Sequence, residues 1–215
     1  MAEFNEQEKD VEEAARESIT RILVRQAEAK YPVTLRADWL RTPVGMMLAA
    51  GDDQYLYLLT YLEQTNLERK TMIIQQRLNA KLEMGASGTT QSIGEELTAY
   101  FEGKLKTFTT PLMLTGTAFQ VKVWEELRRV PFGGTISYAE LAQRLDKPSA
   151  FRAVAQANAQ NPVSVVVPCH RIINNDGKLG GYSAGIERKQ WLLNFERSVL
   201  AREAGEKEPA DGDAQ

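Results

Sequence analysis

The sequence predicts an α/β (α+β) protein: a small N-terminal sheet-and-helix domain followed by a mostly helical C-terminal domain with a helix-turn-helix. Three observations carry this. Extended apolar runs with turn signals crowd into residues 33–61, apolar residues recur at helical spacing from residue 117 onward, and two short helical segments there are separated by a turn as brief as Asp146-Lys147-Pro148.

Size and composition narrow the class of protein. With 215 residues, 43% hydrophobic and 26% charged, the chain can bury a sizeable core, and no apolar stretch approaches the ~20 residues of a membrane span. The start, Met1-Ala2-Glu3-Phe4-Asn5-Glu6, lacks the basic and apolar parts of a secretory signal, so the protein is expected in the cytoplasm, or in the nucleus of a eukaryote. One cysteine excludes an intrachain disulfide. One cysteine with one histidine also falls short of the four ligands of a structural zinc site, and neither metal nor cofactor is expected. The net charge of −3 is unevenly spread: eleven Lys and Arg stand against seven Asp and Glu in residues 116–200, but thirteen against seventeen in residues 1–115. That division suits a polyanion-binding face in the second part.

Residues 12–30 read as an amphipathic helix, with Ile19, Ile22, Leu23 and Gln26 at helical spacing and Pro32 as its stop. Residues 33–40, 45–50 and 55–61 are extended, the last two joined through Gly51-Asp52-Asp53 as in a hairpin. Residues 66–83 and 92–101 have helical periodicity, and Gly85-Ala86-Ser87-Gly88 is a loop between them. These segments predict a helical extension over 1–30, an α/β domain over 31–110, a second domain over 111–200 and a disordered acidic tail over 201–215.

The second part opens with a helix over 117–129 whose Phe119, Val123 and Leu127 face inward and which stops before Pro131 and Gly133-Gly134. Ser137-Tyr138-Ala139-Glu140 has the form of a capping box, so a short helix starts at Ser137 and runs to about Leu145. Another runs from Ser149 to about Gln160, where Asn161-Pro162 ends it. Ala150, Ala153, Ala155, Ala157 and Ala159 leave this last helix thin, with Arg152 its one cation. Such a helix suits tight packing in a core; it also suits a narrow groove of DNA, where bulk would clash and an arginine could reach between the bases.

Residues 163–167 read as a buried strand that Pro168 ends, which leaves Cys169 just past a strand terminus with His170, the only imidazole, beside it. A thiol near pKa ~8.5 is mostly protonated at neutral pH and burial raises that value, so a reactive cysteine needs a base or a dipole. Without one it is an inert core thiol, and composition leaves both readings open. Neighbouring side chains of an extended segment point to opposite faces, so His170 would reach Cys169 through a water. A carboxylate orienting the imidazole would complete the set, and Glu196 on the last helix is a candidate.

The run Asn161-Pro162-Val163-Ser164-Val165-Val166-Val167-Pro168-Cys169-His170-Arg171, followed by Gly181-Tyr182-Ser183, resembles the active-site signature of O6-alkylguanine-DNA alkyltransferases. The similarity extends over residues 116–196, through Thr117-Ala118-Phe119-Gln120, Ile136-Ser137-Tyr138, Arg152-Ala153-Val154 and Lys189-Gln190-Trp191-Leu192-Leu193. The first 110 residues match only in general layout, which the resemblance makes a ribonuclease H-like domain.

The resemblance implies Cys169 as alkyl acceptor, His170 as the base acting through water, Glu196 as the carboxylate holding that histidine, and Asn161 as a brace between the helix pair and the active-site turn. Tyr138 would donate to the departing guanine, while Ser183 and the backbone from Cys169 through Arg171 to Ile172 would line the base pocket. Arg152 would fill the gap left in the base stack, with Ala153, Ala155, Gln156 and Ala157 of the same helix on the DNA. The implied activity is single-turnover transfer of an alkyl group, methyl above all, from O6 of guanine in double-stranded DNA to Cys169 by a monomer, with O4 of thymine as a second substrate. Departures stand beside the likeness: the zinc ligands of some members are missing, Ala159 stands where a further cation is common, and Ser164 and Ala184 occupy positions that shape the pocket's outer wall. Two other readings remain, a non-catalytic alkyl-lesion DNA-binding and signalling protein, against which the presence of Cys169 argues, and a cysteine hydrolase, for which no oxyanion device is visible.

Overall fold

The computed structural model describes residues 13–14, 16–21, 31–62 and 67–205. Strands β1 (Val33–Thr42), β2 (Gly45–Gly51) and β3 (Leu56–Tyr61) form an antiparallel meander, and β4 (Ala80–Met84) lies parallel to β1, giving the sheet order β3-β2-β1-β4. Strands β2 and β3 are apolar at nearly every position because both sheet faces are covered. Side chains alternate across the pleat, so Met47, Ala49, Leu59 and Tyr61 face helix α2 (Gly88–Phe101), while Leu48, Ala50 and Leu58 face helix α1 (Leu67–Leu78). The three expected extended segments and the hairpin between the last two are present.

Residues 66–83 are not one helix. Helix α1 stops at Leu78, Asn79 turns the chain at φ 48°, and β4 follows with Ala80 and Leu82 inward. The alternation Ala80-Lys81-Leu82-Glu83 has period two, and a helical window laid across Asn79 hides it. Helix α2 starts at Gly88 rather than at residue 92, because Ser87 and Thr90 form a reciprocal capping box. In the N-terminal segment residues 16–21 are helical, and Ile19 packs beside Leu35 and Leu48; Ile22, Leu23 and Gln26 lie outside the described residues.

Helices α3 (Ala118–Leu127), α4 (Tyr138–Arg144), α5 (Phe151–Ala159) and α6 (Ile186–Gly205) build the second part, with α4 and α5 as the helix pair. Thr117 caps α3 through a box with Gln120, and Val123 and Leu127 are buried as expected. Ser137 caps α4 by accepting the Glu140 N–H at 3.1 Å, but the Glu140 carboxylate bonds Arg144 instead of returning to the cap. Residues 201–205, expected in a disordered acidic tail, continue α6, and 206–215 lie outside the described residues. Short strands β5 (Ile136–Ser137) and β6 (Ile172–Ile173) pair in parallel and join the start of α4 to the segment after Cys169.

One apolar core runs from Met47 and Leu59 of the sheet through Trp124, Leu127 and Val154 to Leu192 of α6. It also covers the edge of the sheet, since β3 is bridged by Leu112 at Leu56 and by Val163 at Leu59.

Candidate active site

The segment 163–167 is a buried turn, not a strand. Val163 and Ser164 dock on β3, with the Ser164 N–H donating to the Leu59 carbonyl at 2.7 Å, and the chain then folds back so that the Val167 N–H reaches the Val163 carbonyl at 3.0 Å. Val165 sits at the turn with φ 71°, a left-handed conformation that costs a β-branched residue about 1–3 kcal/mol. An apolar run is equally compatible with a strand and with a buried turn, and periodicity cannot separate them. Cys169, His170 and Arg171 then form one turn of 3-10 helix, so Cys169 and His170 leave a curved backbone rather than opposite faces of a strand.

Cys169 is 2% exposed. Asn161 braces it: the side-chain amide donates to Sγ at 3.1 Å and to the Val167 carbonyl at 2.7 Å, while its Oδ1 accepts the Val163 N–H at 2.9 Å. Burial pushes the thiol up, and the Asn161 hydrogen bond and the nearby Lys70 and Lys189 ammonium groups pull it back. The Tyr182 hydroxyl is buried beside the thiol: burial and the nearby sulfur raise it well above its ordinary range, and it in turn draws the thiol down.

Behind the thiol, Glu196 is fully buried and gathers four residues from three segments of the chain. Its carboxylate accepts from Tyr100 Oη at 2.7 Å, from the Gly133 N–H at 2.8 Å and from Arg171 Nη2 at 2.9 Å, and lies 2.8 Å from His170 Nε2. Burial alone would raise this carboxyl; the hydrogen bonds and charges of His170 and Arg171 outweigh it and hold the group well below the usual carboxylate range. An ionised Glu196 keeps the proton on Nε2 and leaves Nδ1 of His170 as the acceptor. That Nδ1 is buried and has no hydrogen-bond partner among the described residues, and burial lowers the imidazole's basicity against the opposing pull of Glu196.

A pocket of about 500 Å³ opens over the sulfur, lined by Tyr138, Phe151, Arg152, Asn158, Tyr182 and Ser183 among others, with Ala155 on its wall. The structure thus gathers Cys169, Tyr138, Ser183, Ala155 and Arg152 around one cavity, with Asn161, His170 and Glu196 beneath it. Arg171 and Ile172 do not line it: Arg171 holds Glu196 and the Val130 carbonyl, and the Ile172 side chain is buried while its carbonyl accepts Lys189 Nζ at 2.5 Å. Ser164 is packed under β3 away from the pocket, and Ala184 lines a neighbouring cleft with Val44, Arg188 and Trp191.

Helix α5 presents Arg152, Ala153 and Gln156 to solvent, with Arg152 over the Phe151 ring at 5.7 Å. Ala157 does not join them. It is 3% exposed and its carbonyl accepts Trp124 Nε1 at 2.8 Å, because Val154, Ala157 and Asn158 form the inward stripe that a 3.6-residue period imposes. The reading of Ala157 as a DNA contact is corrected to a core contact. The core-packing reading of the thin helix holds for that inward stripe, while Arg152, Ala153 and Gln156 leave its other face open to solvent.

Sequence reasoning missed the Tyr100 and Gly133 donors and the Lys70 ammonium, whose partners are far away in the chain and leave no local signal. Tyr182 stood inside the Gly181-Tyr182-Ser183 motif and could have been named with Ser183. Among the described residues no cluster of metal-ligating side chains occurs.

Residues 118–198 match the family described as 6-O-methylguanine DNA methyltransferase, DNA binding domain. Among curated proteins, the methylated-DNA–protein-cysteine methyltransferase of Methanosarcina mazei is 40% identical over 161 residues, covering 75% of this chain and 96% of the relative. Its namesake from Mycolicibacterium paratuberculosis is 42% identical over 156 residues, covering 73% and 88%. Among solved structures, Mycobacterium tuberculosis OGT in complex with DNA aligns with a TM-score of 0.65 at 39% identity, covering 76% of this chain and 94% of that one. The O6-methylguanine-DNA methyltransferase of Pyrococcus kodakaraensis aligns at 0.59 and 28% identity, covering 75% and 98%. At 40% identity or more over about three quarters of this chain and most of each relative, the chain belongs to the methylated-DNA–protein-cysteine methyltransferase family.

Proposed function

We propose that this protein repairs double-stranded DNA by moving an alkyl group, methyl above all, from O6 of guanine to Sγ of its own Cys169. The observation that carries the reading is a buried thiol at the floor of an open pocket, braced by Asn161, with an adjacent imidazole anchored on an ionised carboxylate. His170 Nδ1 takes the thiol proton through a water. The thiolate attacks the alkyl carbon in line; an S–C bond forms as the C–O6 bond breaks, and its electron pair stays with guanine, which gains a proton and leaves neutral. Tyr138, whose hydroxyl burial holds above its ordinary pKa and hence protonated, is the donor at the pocket wall. A thioether does not hydrolyse, so each molecule acts once. The base must leave the stack to reach the sulfur, at a cost of a few kcal/mol, and Arg152 on α5 fills the gap while Ala153 and Gln156 meet the groove. Ser183 contacts the flipped base. The protein acts as a monomer in the cytoplasm or nucleus, O4-alkylthymine is a second substrate, and no helix among the described residues is long and apolar enough to cross a membrane.

Intact-mass analysis after incubation with a duplex containing O6-methylguanine tests this. One methyl mass on the peptide bearing Cys169, with no turnover beyond one equivalent, is the expected result. A label on another residue, or lesion binding with no transfer as in a signalling protein, would overturn it.

A further inference from the structure

The reactive turn is fastened from the sheet half of the molecule by a cation that the transfer chemistry above does not use. Lys70 stands on α1; its stem lies in a narrow cleft with Ile73, Ile74, Trp124 and Pro162, and its ammonium passes edge strand β3 to donate to the Asn161 carbonyl at 2.9 Å and to Thr60 Oγ1 at 3.3 Å. Asn161 in turn donates to Cys169 Sγ, so Lys70, Asn161 and the sulfur form one connected chain. We infer that Lys70 is a positioning residue of the transfer site, fixing the backbone of Asn161 and lending its positive charge to the Cys169 thiolate as it forms.

The electrostatics agree with the geometry. Burial lowers the Lys70 ammonium to about 8, opposed by its attraction to Cys169, and Lys70 in turn draws the thiol down. The other groups facing the sulfur are Lys189 from α6, Tyr182 from the loop before it and Tyr138 from α4, and His170 is next to it in the same turn. Lys189 is occupied by the Ile172, Leu179 and Gly181 carbonyls and does not touch Asn161. Lys70 therefore combines two effects on the sulfur, a cationic field and a hold on its hydrogen-bond donor.

The inference rests on Cys169 as acceptor, and the full-length chain tests it in three variants. Lys70→Gln keeps a donor for the Asn161 carbonyl without the charge, Lys70→Arg keeps the charge, and Lys70→Met, which removes both, serves in place of the glutamine should that variant not fold. Methyl transfer from an O6-methylguanine duplex and the pH profile of iodoacetamide alkylation of Cys169 are followed, with duplex affinity and melting temperature as controls. Expected for the neutral variants are a profile displaced upward by about half a pH unit or more and transfer slowed about tenfold near pH 7, with affinity little changed and the arginine restoring most of the rate. A folded neutral variant with the wild-type profile and rate overturns the inference, as does an equal loss in the arginine variant. Absence of label on Cys169 in the wild type would instead be a failure of the acceptor reading, so the two are told apart.

Discussion

His170 Nε2 and Glu196 Oε1 lie 2.8 Å apart across 26 residues of chain, and both side chains are fully buried. The contact decides which imidazole nitrogen carries the proton and leaves Nδ1 as the acceptor. Its cost is a buried charge, offset because Arg171, Tyr100 and Gly133 supply the remaining donors.

Replacing Glu196 by Gln should therefore damage both stability and rate. The substitution leaves the Arg171 guanidinium buried without its counter-charge, a loss of about 3 kcal/mol or more by denaturant unfolding. Transfer should slow, with a changed pH profile, since the imidazole loses the anion that fixes its tautomer. A profile identical to wild type in the folded variant would remove Glu196 from the proton path.

Acid should weaken the fold in two stages. The buried imidazole of His170 titrates below its unfolded value of ~6.5, so the stability present above that pH is lost as pH falls beneath it. The Glu196 carboxyl is held below its unfolded value of ~4.3, so its contribution persists above that pH and drains away in stronger acid. Melting temperature measured from about pH 8 down to about pH 3 should be flat near neutrality, decline below about 6.5 and fall again below about 4. A flat curve to about pH 4 would contradict the neutral, buried histidine.

Methylation of Cys169 should itself destabilise the protein. A thioether is a weak acceptor, and the added carbon must fit where Asn161 Nδ2 stands 3.1 Å from sulfur. Thermal denaturation of methylated against unmodified protein should show a loss of about 1–3 kcal/mol. Equal melting temperatures would mean that the methyl group settles in the open pocket without disturbing the brace.

Arg152→Ala is expected to slow repair of a duplex about tenfold or more while leaving reaction with free O6-methylguanine base unchanged, because the side chain is exposed on α5 at the pocket rim, over the Phe151 ring. Equal losses on both substrates would place its effect in the pocket and not in the DNA.

Trp124→Phe removes the indole N–H that the Ala157 carbonyl accepts beside the Gln160 N–H and leaves a void in the core, at a cost of about 2–3 kcal/mol in urea unfolding. A loss below about 0.5 kcal/mol would mean that α5 is anchored otherwise.

Much of the architecture could be read from residue order alone, and the parts that could not have a common cause. The meander and the helix pair announce themselves through local period and punctuation. Strand β4 did not, because five alternating residues directly behind a helix are outweighed by that helix's pattern. The turn at Val165 was mistaken for a strand since burial on all sides erases periodicity. At the site, Cys169, His170 and Asn161 sit within ten residues and stand out together; Glu196 could be nominated but not ranked, and Tyr100, Gly133 and Lys70 are brought in only by tertiary packing.

Because the apolar interior is continuous from β3 to α6, the sheet is not an appendage that could be trimmed away. Removing residues ahead of 116 would strip Leu59 from Val163 and Lys70 from Asn161, leaving the alkyl-accepting loop without its foundation. Damage anywhere along that shared interior, even far from DNA, is thus transmitted to the sulfur as a loss of order.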